Sequence, residues 1–143
     1  MSNADEYHNF NERLIADFRA NQGQFTSGPF QGAELLLLTT TGAKSGKPRT
    51  TPLAFTRDGD RLAIVASKAG APTNPDWYHN LLANPVATVE LGPETFQARA
   101  SVVADAQEHD RLYDQMVAER PNFDEYRKLT SRHIPVIVLE RVS

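Results

Sequence analysis

The sequence predicts an antiparallel α+β domain whose strand spacing fits a small barrel with short flanking helices. Three observations support this. Six strand-like segments are interspersed with short helical ones. Most neighbouring strands are joined as hairpins rather than by crossover helices, which argues against a doubly wound sheet. A length of 143 residues corresponds to a single domain, residues 1–143, long enough to bury a sizeable core.

Along the chain, Tyr7, Phe10, Leu14, Ile15 and Phe18 recur at helical spacing behind Asp5 and Glu6. Residues 1–23 therefore read as an N-terminal amphipathic helix ending by Gly23. Its apolar stripe ordinarily faces a core; a lid over a ligand and a membrane-surface contact are the alternatives. Ala33–Thr41 is a buried strand and Gly42–Pro48 a turn. Arg49–Arg57 is a second strand interrupted by Pro52, which cannot donate to a ladder and so marks an edge or bulge. Asp58-Gly59 turns the chain into a third strand, Arg61–Ser67. Asn74 is the expected N-cap, with Pro75 in the first helical position, of a helix running to Ala83 and stopped by Pro85. Val86–Leu91 and Thr95–Val103 pair about Gly92-Pro93. Asp105 and Glu108 have capping-box spacing ahead of a helix bearing Leu112, Met116 and Val117. A short helical piece, Phe123–Leu129, precedes the last strand, Ile134–Glu140.

Composition removes several function classes. Without cysteine there is no disulfide, thiolate metal site or cysteine nucleophile. The longest apolar run, Leu35–Leu38, is far short of the ~20 residues of a bilayer span. The acidic N-terminus has no signal-peptide character, so a cytoplasmic location is expected. A net charge of −3 gives no global reason to expect nucleic acid. That charge is uneven. Between Gly42 and Lys68, Lys44, Lys47, Arg49, Arg57, Arg61 and Lys68 face only Asp58 and Asp60, which makes the stretch +4 and leaves −7 for the remainder. Such a segment suggests a small anionic ligand, or else a solvated strand edge guarded by cations.

Two segments carry chemistry. The first, Thr39 to Arg49, superficially resembles a phosphate loop. A Walker A loop needs four residues between its glycines and a Gly-Lys-Ser/Thr leading into a helix. Here three residues separate Gly42 and Gly46, Pro48 occupies the Ser/Thr position, and a strand follows. Nucleotide hydrolysis is therefore not implied, but glycine-permitted backbone N–H groups with Lys44 and Arg49 still suit an anion. The second runs from Ala66 through Gly70 to Asn80, where a strand end and small-residue loop meet a helix start. Trp77 within it reads as a core anchor as readily as a ligand contact. His8, His79, His109 and His133 lack metal-pair spacing, and no G-x-S-x-G elbow exists, so neither a metal site nor a serine hydrolase is indicated.

Together these segments resemble the deazaflavin (coenzyme F-420)-dependent nitroreductase and quinone reductase family. The resemblance rests on Leu38-Thr39-Thr40-Thr41-Gly42-x-Lys44-x-Gly46-x-Pro48-Arg49-x-x-Pro52-Leu53 and on Ser67-Lys68-Ala69-Gly70-Ala71-x-x-Asn74-Pro75-x-Trp77-Tyr78-x-Asn80-Leu81-x-Ala83-Asn84-Pro85. Pro121-x-x-x-x-Tyr126 and Arg132-x-Ile134-Pro135 extend it, so it covers roughly residues 33–140. It implies a split β-barrel related to flavin-binding barrels, and a reductase using reduced coenzyme F-420. By resemblance, Lys44, Ser45 and Arg49 hold the phosphate. Thr50, Thr51, Pro52, Leu53 and Ala54, with Val65, Ala66 and Ser67, line the ring. Lys68, Trp77, Tyr78 and Asn80 lie near the linker and tail. Ser67 and Tyr126 are candidates for substrate positioning. Some members carry three tyrosines spaced by three over the substrate, where this chain has Arg120, Phe123 and Tyr126. That departure argues against nitroimidazole prodrugs and for bulky unsaturated lactones, coumarins or quinones; the hydride acceptor implied is a quinone, a coumarin or unsaturated lactone, or a nitroaromatic. The implied partner is a small-molecule hydride acceptor, with monomer or homodimer both open. Alternatives are an FMN-dependent oxidoreductase on the same barrel and a non-enzymatic deazaflavin carrier.

Overall fold

The computed structural model describes residues 3–26 and 34–142, with side chains described from Phe10 onward. The expected strand start at Ala33 and the side chains of Asp5, Glu6, Tyr7 and His8 lie outside those residues. Helix α1 (Asn3–Ala20) leads into β1 (Leu36–Thr41), β2 (Pro48–Leu53), β3 (Thr56–Asp58) and β4 (Arg61–Val65). Then come α2 (Asp76–Ala83), β5 (Val86–Leu91), β6 (Glu94–Val102), α3 (Ala106–Glu119), α4 (Asn122–Leu129) and β7 (Val136–Arg141).

All seven strands form one antiparallel sheet in the order β2-β1-β5-β6-β7-β4-β3. The single strand expected over Arg49–Arg57 is in fact two, one at each end of that sheet, joined by Ala54 and Phe55 alone. A two-residue link spans at most about 11 Å between its flanking Cα atoms. The two ends of the sheet must therefore lie close together, and the sheet curls into a split barrel. Pro52 sits opposite Leu37 on the edge strand β2, as its missing N–H requires.

Strand alternation sorts the core into three parts. Leu36, Leu38, Ile64, Ala66, Ala87, Val89, Ala98, Ile137 and Leu139 fill the barrel, and Trp77 and Leu81 of α2 cap the filling. Ala63, Val65, Val136 and Val138 point outward against Leu112, Tyr113, Met116 and Phe123 of α3 and α4. Leu35 and Leu37 meet Leu14, Phe18 and Phe25, so the apolar stripe of α1 is core. That helix is anchored by a bidentate ion pair, Arg19 Nε and Nη2 to Glu90 at 3.0 and 2.8 Å. Its C-terminal Gly23 (φ +89°) lies backbone to backbone against Gly92, where a Cβ would fall 2.3 Å from the Gly92 Cα. No described helix is long and apolar enough to cross a membrane.

Two helix starts differ in detail from expectation. Asp105 caps α3, accepting from the Glu108 N–H at 3.0 Å, while the Glu108 carboxylate accepts from Arg111 instead of closing the box. The N-cap of α2 is Pro75 and not Asn74. The Asn74 amide oxygen is occupied elsewhere, accepting from Arg132 Nη1 at 2.7 Å.

Candidate functional site

The turn between β1 and β2 is fixed from inside. Gly42 donates to the Lys47 carbonyl at 2.8 Å and accepts from the Gly46 N–H at 3.0 Å. Only Gly46 has a positive φ (+69°); Gly42 is instead required by space, because a Cβ there would meet the Ser45 hydroxyl at 2.4 Å. From α2, buried Asn80 accepts the Ala43 N–H at 2.9 Å and donates to Thr40 Oγ1 at 3.1 Å. Asn80 thus spends both ends of its amide on holding the turn. The exposed Lys44 and Ser45 project their N–H groups without an acceptor among the described residues. On β2, Leu53 packs into the barrel, which puts Thr51 and Arg49 on the inner side by alternation. Thr50, bonded to Thr39 across a 2.8 Å hydroxyl pair, and Pro52 lie on the side toward α1.

The loop after β4 has an unusual backbone. Lys68 (φ +46°), Ala69 (φ +53°) and Gly70 (φ +81°) form a 3-10 turn entirely at positive φ. For lysine and alanine that conformation is costly and persists only under outside constraint. One constraint is Gly70, where a Cβ would fall 2.8 Å from Leu129 Cβ and 3.0 Å from the Tyr126 carbonyl of α4. The other is Arg132. Its guanidinium donates to the carbonyls of Ala66 (3.2 Å), Ser67 (2.7 Å) and Ala71 (2.9 Å) as well as to Asn74. The N–H groups of Ser67, Lys68 and Ala69 have no acceptor among the described residues. Val65 faces α3, buried Ala66 and Trp77 face the barrel interior, and half-buried Tyr78 packs beside them. Arg132 stood in the sequence only as part of a motif. No local signal marks its partners, which are three backbone carbonyls and the Asn74 amide oxygen.

At the α3–α4 corner the three candidate pocket residues diverge. Arg120 turns back to donate to the carbonyls of Phe55 (2.8 Å) and Glu34 (2.6 Å). Phe123 is buried at 8% exposure, and its carbonyl accepts from the Tyr113 hydroxyl at 2.7 Å. Burial pushes the Tyr113 phenol up, so it remains a neutral donor. The Tyr126 carbonyl, with Leu129, lies against Gly70, and the Tyr126 ring packs edge-on to Phe123 at 5.1 Å. Its hydroxyl accepts from Asn122 Nδ2 at 2.8 Å, leaving its own proton to donate. The structure thus seats α4 against the 68–70 turn and keeps Arg120 and Phe123 in structural contacts.

Charge separates in the same way. Arg57 pairs with Glu34, and Arg61 with Asp58 and Glu140. Lys44, Lys47, Arg49 and Lys68 have no carboxylate within ion-pair distance among the described residues, and all four are exposed. Two of the six cations of the stretch are therefore neutralised, and the four unpaired ones flank the two sets of free N–H groups. α2 joins them, because it begins where the second loop ends and pins the first turn through Asn80. No group of three metal-ligating side chains occurs among the described residues.

Comparison with known proteins agrees with this arrangement. The family model for "F420H(2)-dependent quinone reductase" matches residues 12–141. A curated F420H(2)-dependent quinone reductase of Mycobacterium tuberculosis is 49% identical over 111 residues, covering 74% of this chain and 72% of its own. A solved F420-H2 dependent reductase is 37% identical with TM-score 0.68, covering 76% of this chain and 95% of that one. A solved domain-swapped dimer is 34% identical with TM-score 0.71, covering 97% and 100%. These relatives support the deazaflavin-reductase reading over the flavin and carrier alternatives. With its split barrel, the chain belongs to the F420H(2)-dependent quinone reductase family and is a reductase that uses coenzyme F-420.

Proposed function

We propose that this chain holds reduced coenzyme F-420 across the 42–49 turn and the 66–70 loop, and reduces a quinone or similar planar unsaturated carbonyl compound beside Tyr126. The observation that carries this is the coincidence of four unpaired cations, Lys44, Lys47, Arg49 and Lys68, with N–H groups that lack acceptors. Cations without a carboxylate partner and backbone donors without an acceptor fit a coenzyme bearing a phosphodiester and a polycarboxylate tail. When bound, the deazaflavin supplies the hydride.

The remaining work falls to the chain. Lys44, Ser45 and Arg49 grip the phosphate, the arginine fork taking two oxygens. The N–H groups of Ser67, Lys68 and Ala69 take ring oxygens, while inward-facing Thr51 and Leu53 and small Ala54 and Ala66 border the ring. Lys68 draws the anionic tail, and Trp77, Tyr78 and Asn80 support that wall from α2. Ser67 and Tyr126 orient the acceptor, with Tyr126 donating to an acceptor oxygen. Because Arg120 and Phe123 are engaged elsewhere, the pocket offers one phenol, which suits a quinone or lactone carbonyl better than a nitro group.

Coenzyme fluorescence titration tests the assignment. Lys44→Ala with Arg49→Ala is expected to weaken binding at least about tenfold, from the loss of charge-assisted bonds. Unchanged affinity would overturn the phosphate assignment. Loss of reduced-coenzyme absorbance should be faster with a quinone or coumarin than with a nitroimidazole, and the reverse order would sink the acceptor reading.

A further inference from the structure

We infer that Arg132 is a positioning residue for coenzyme binding, acting through two peptide units that it orients and polarises. The inference rests on the site reading above. Arg132 precedes β7 and touches none of the unpaired cations, yet its guanidinium reaches four acceptors spread over residues 66–74. Two of them, the Ala66 and Ser67 carbonyls, belong to the peptide units whose other ends are the N–H groups of Ser67 and Lys68.

A trans peptide directs its C=O and N–H in opposite directions. With the carbonyls drawn to Arg132, the two N–H groups must point away from it. No acceptor meets them among the described residues. A cation bound at the carbonyl end also strengthens the dipole that the N–H end offers, and hydrogen-bond chains polarise one another in this sense. Arg132 thereby delivers positive charge to a ligand oxygen without standing next to it. It also holds Lys68 and Ala69 in their disfavoured positive-φ conformation, which nothing in their own side chains explains. The Ser67 carbonyl is doubly used, accepting the Gly70 N–H at 2.9 Å as well as Arg132 Nη2, so the turn and the guanidinium lock each other.

Lysine keeps the charge but cannot reach four acceptors, so the test uses the full chain with Arg132→Lys and Arg132→Met. Folded fraction is set by far-ultraviolet circular dichroism, and affinity by coenzyme fluorescence. Steady-state kinetics then separate the coenzyme KM from kcat, and hydrogen exchange reports on amides 70 and 71, which close the turn. Arg132→Met, counting folded protein only, is expected to bind coenzyme roughly tenfold or more weaker. Its coenzyme KM should rise more than kcat falls, the acceptor KM should stay unchanged, and amides 70 and 71 should exchange faster. Arg132→Lys should recover part of the affinity. Folded Arg132→Met with wild-type affinity, or a Lys variant no better than Met, would overturn the inference. Should Arg132→Met not fold, Arg132→Lys alone decides, with wild-type affinity counting against the proposal. A wild-type chain that binds no coenzyme would instead overturn the site reading.

Discussion

Among single residues, Asn80 is the tie between α2 and the 42–49 turn. It is buried, and its amide accepts the Ala43 N–H and donates to Thr40 Oγ1. Asn80→Leu removes both bonds and strands a donor, so stability should fall by about 1–3 kcal/mol, read from the denaturant midpoint. The family resemblance implies a place for Asn80 near the coenzyme tail; the structure shows it buried and holding the 42–49 turn. What the sequence could not show was the partner, because Asn80 and Ala43 are 37 positions apart. The same limit hid the contacts of Arg120 and Arg132, whose partners lie in segments between the strands and are mostly backbone carbonyls. Backbone carbonyls carry no sequence label, so such bonds are invisible until the fold is known. The excess of cations over residues 42–68 is legible in the sequence, but which of them stay unpaired is not, since Glu34 and Glu140 reach Arg57 and Arg61 from outside it.

Elements were read well where their signals are local and less well where the tertiary fold decides. The Asp105 cap and the turns at Gly59 and Gly92 follow directly from residue chemistry. The split of Arg49–Arg57 into two strands does not, since both halves have the same strand-like composition. At this scale the docking of α1 is open to test. Gly23→Ala adds a Cβ at positive φ into the Gly92 backbone, and should cost about 2–4 kcal/mol or detach the helix end. Faster hydrogen exchange in α1 than in β7 would reveal which. The β3–β4 hairpin is tied to α3 by Asp58, whose carboxyl is held below its ordinary range by the hydrogen bond from Arg111 and then by that from Arg61. A depressed carboxyl stabilises the fold above its unfolded pKa of about 3.9 and loses that contribution as pH falls through the folded value. Asp58→Asn should therefore lower the melting temperature slightly at pH 7, the pair being screened by solvent, and by progressively less as pH falls through the folded carboxyl's titration.

For the whole molecule, closure of the barrel depends on the two-residue link between its edge strands, Ala54 and Phe55. Phe55 is 2% exposed, sits in the barrel core, and lends its carbonyl to Arg120. Phe55→Ala should cost about 3–5 kcal/mol, more than a truncation on an outer face, because it opens a cavity at the point where the sheet ends meet. Thermal unfolding measures the loss, and a change below about 1 kcal/mol would contradict the role assigned to this link.

A sheet that curls without sealing leaves β2 with an unpaired side, normally a template for another chain to add to. Within β2, Pro48, Thr50 and Pro52 point the same way, and because proline cannot serve the ladder with β1, that way is outward. Two of the three outward positions therefore have no N–H to give, and Lys47 and Arg49 add like-charge repulsion between approaching copies. The same short stretch that carries the unpaired Lys47 and Arg49 thus discourages self-templated aggregation. Replacing both prolines with valine would be expected to leave the monomer folded but speed thioflavin-positive assembly on prolonged incubation.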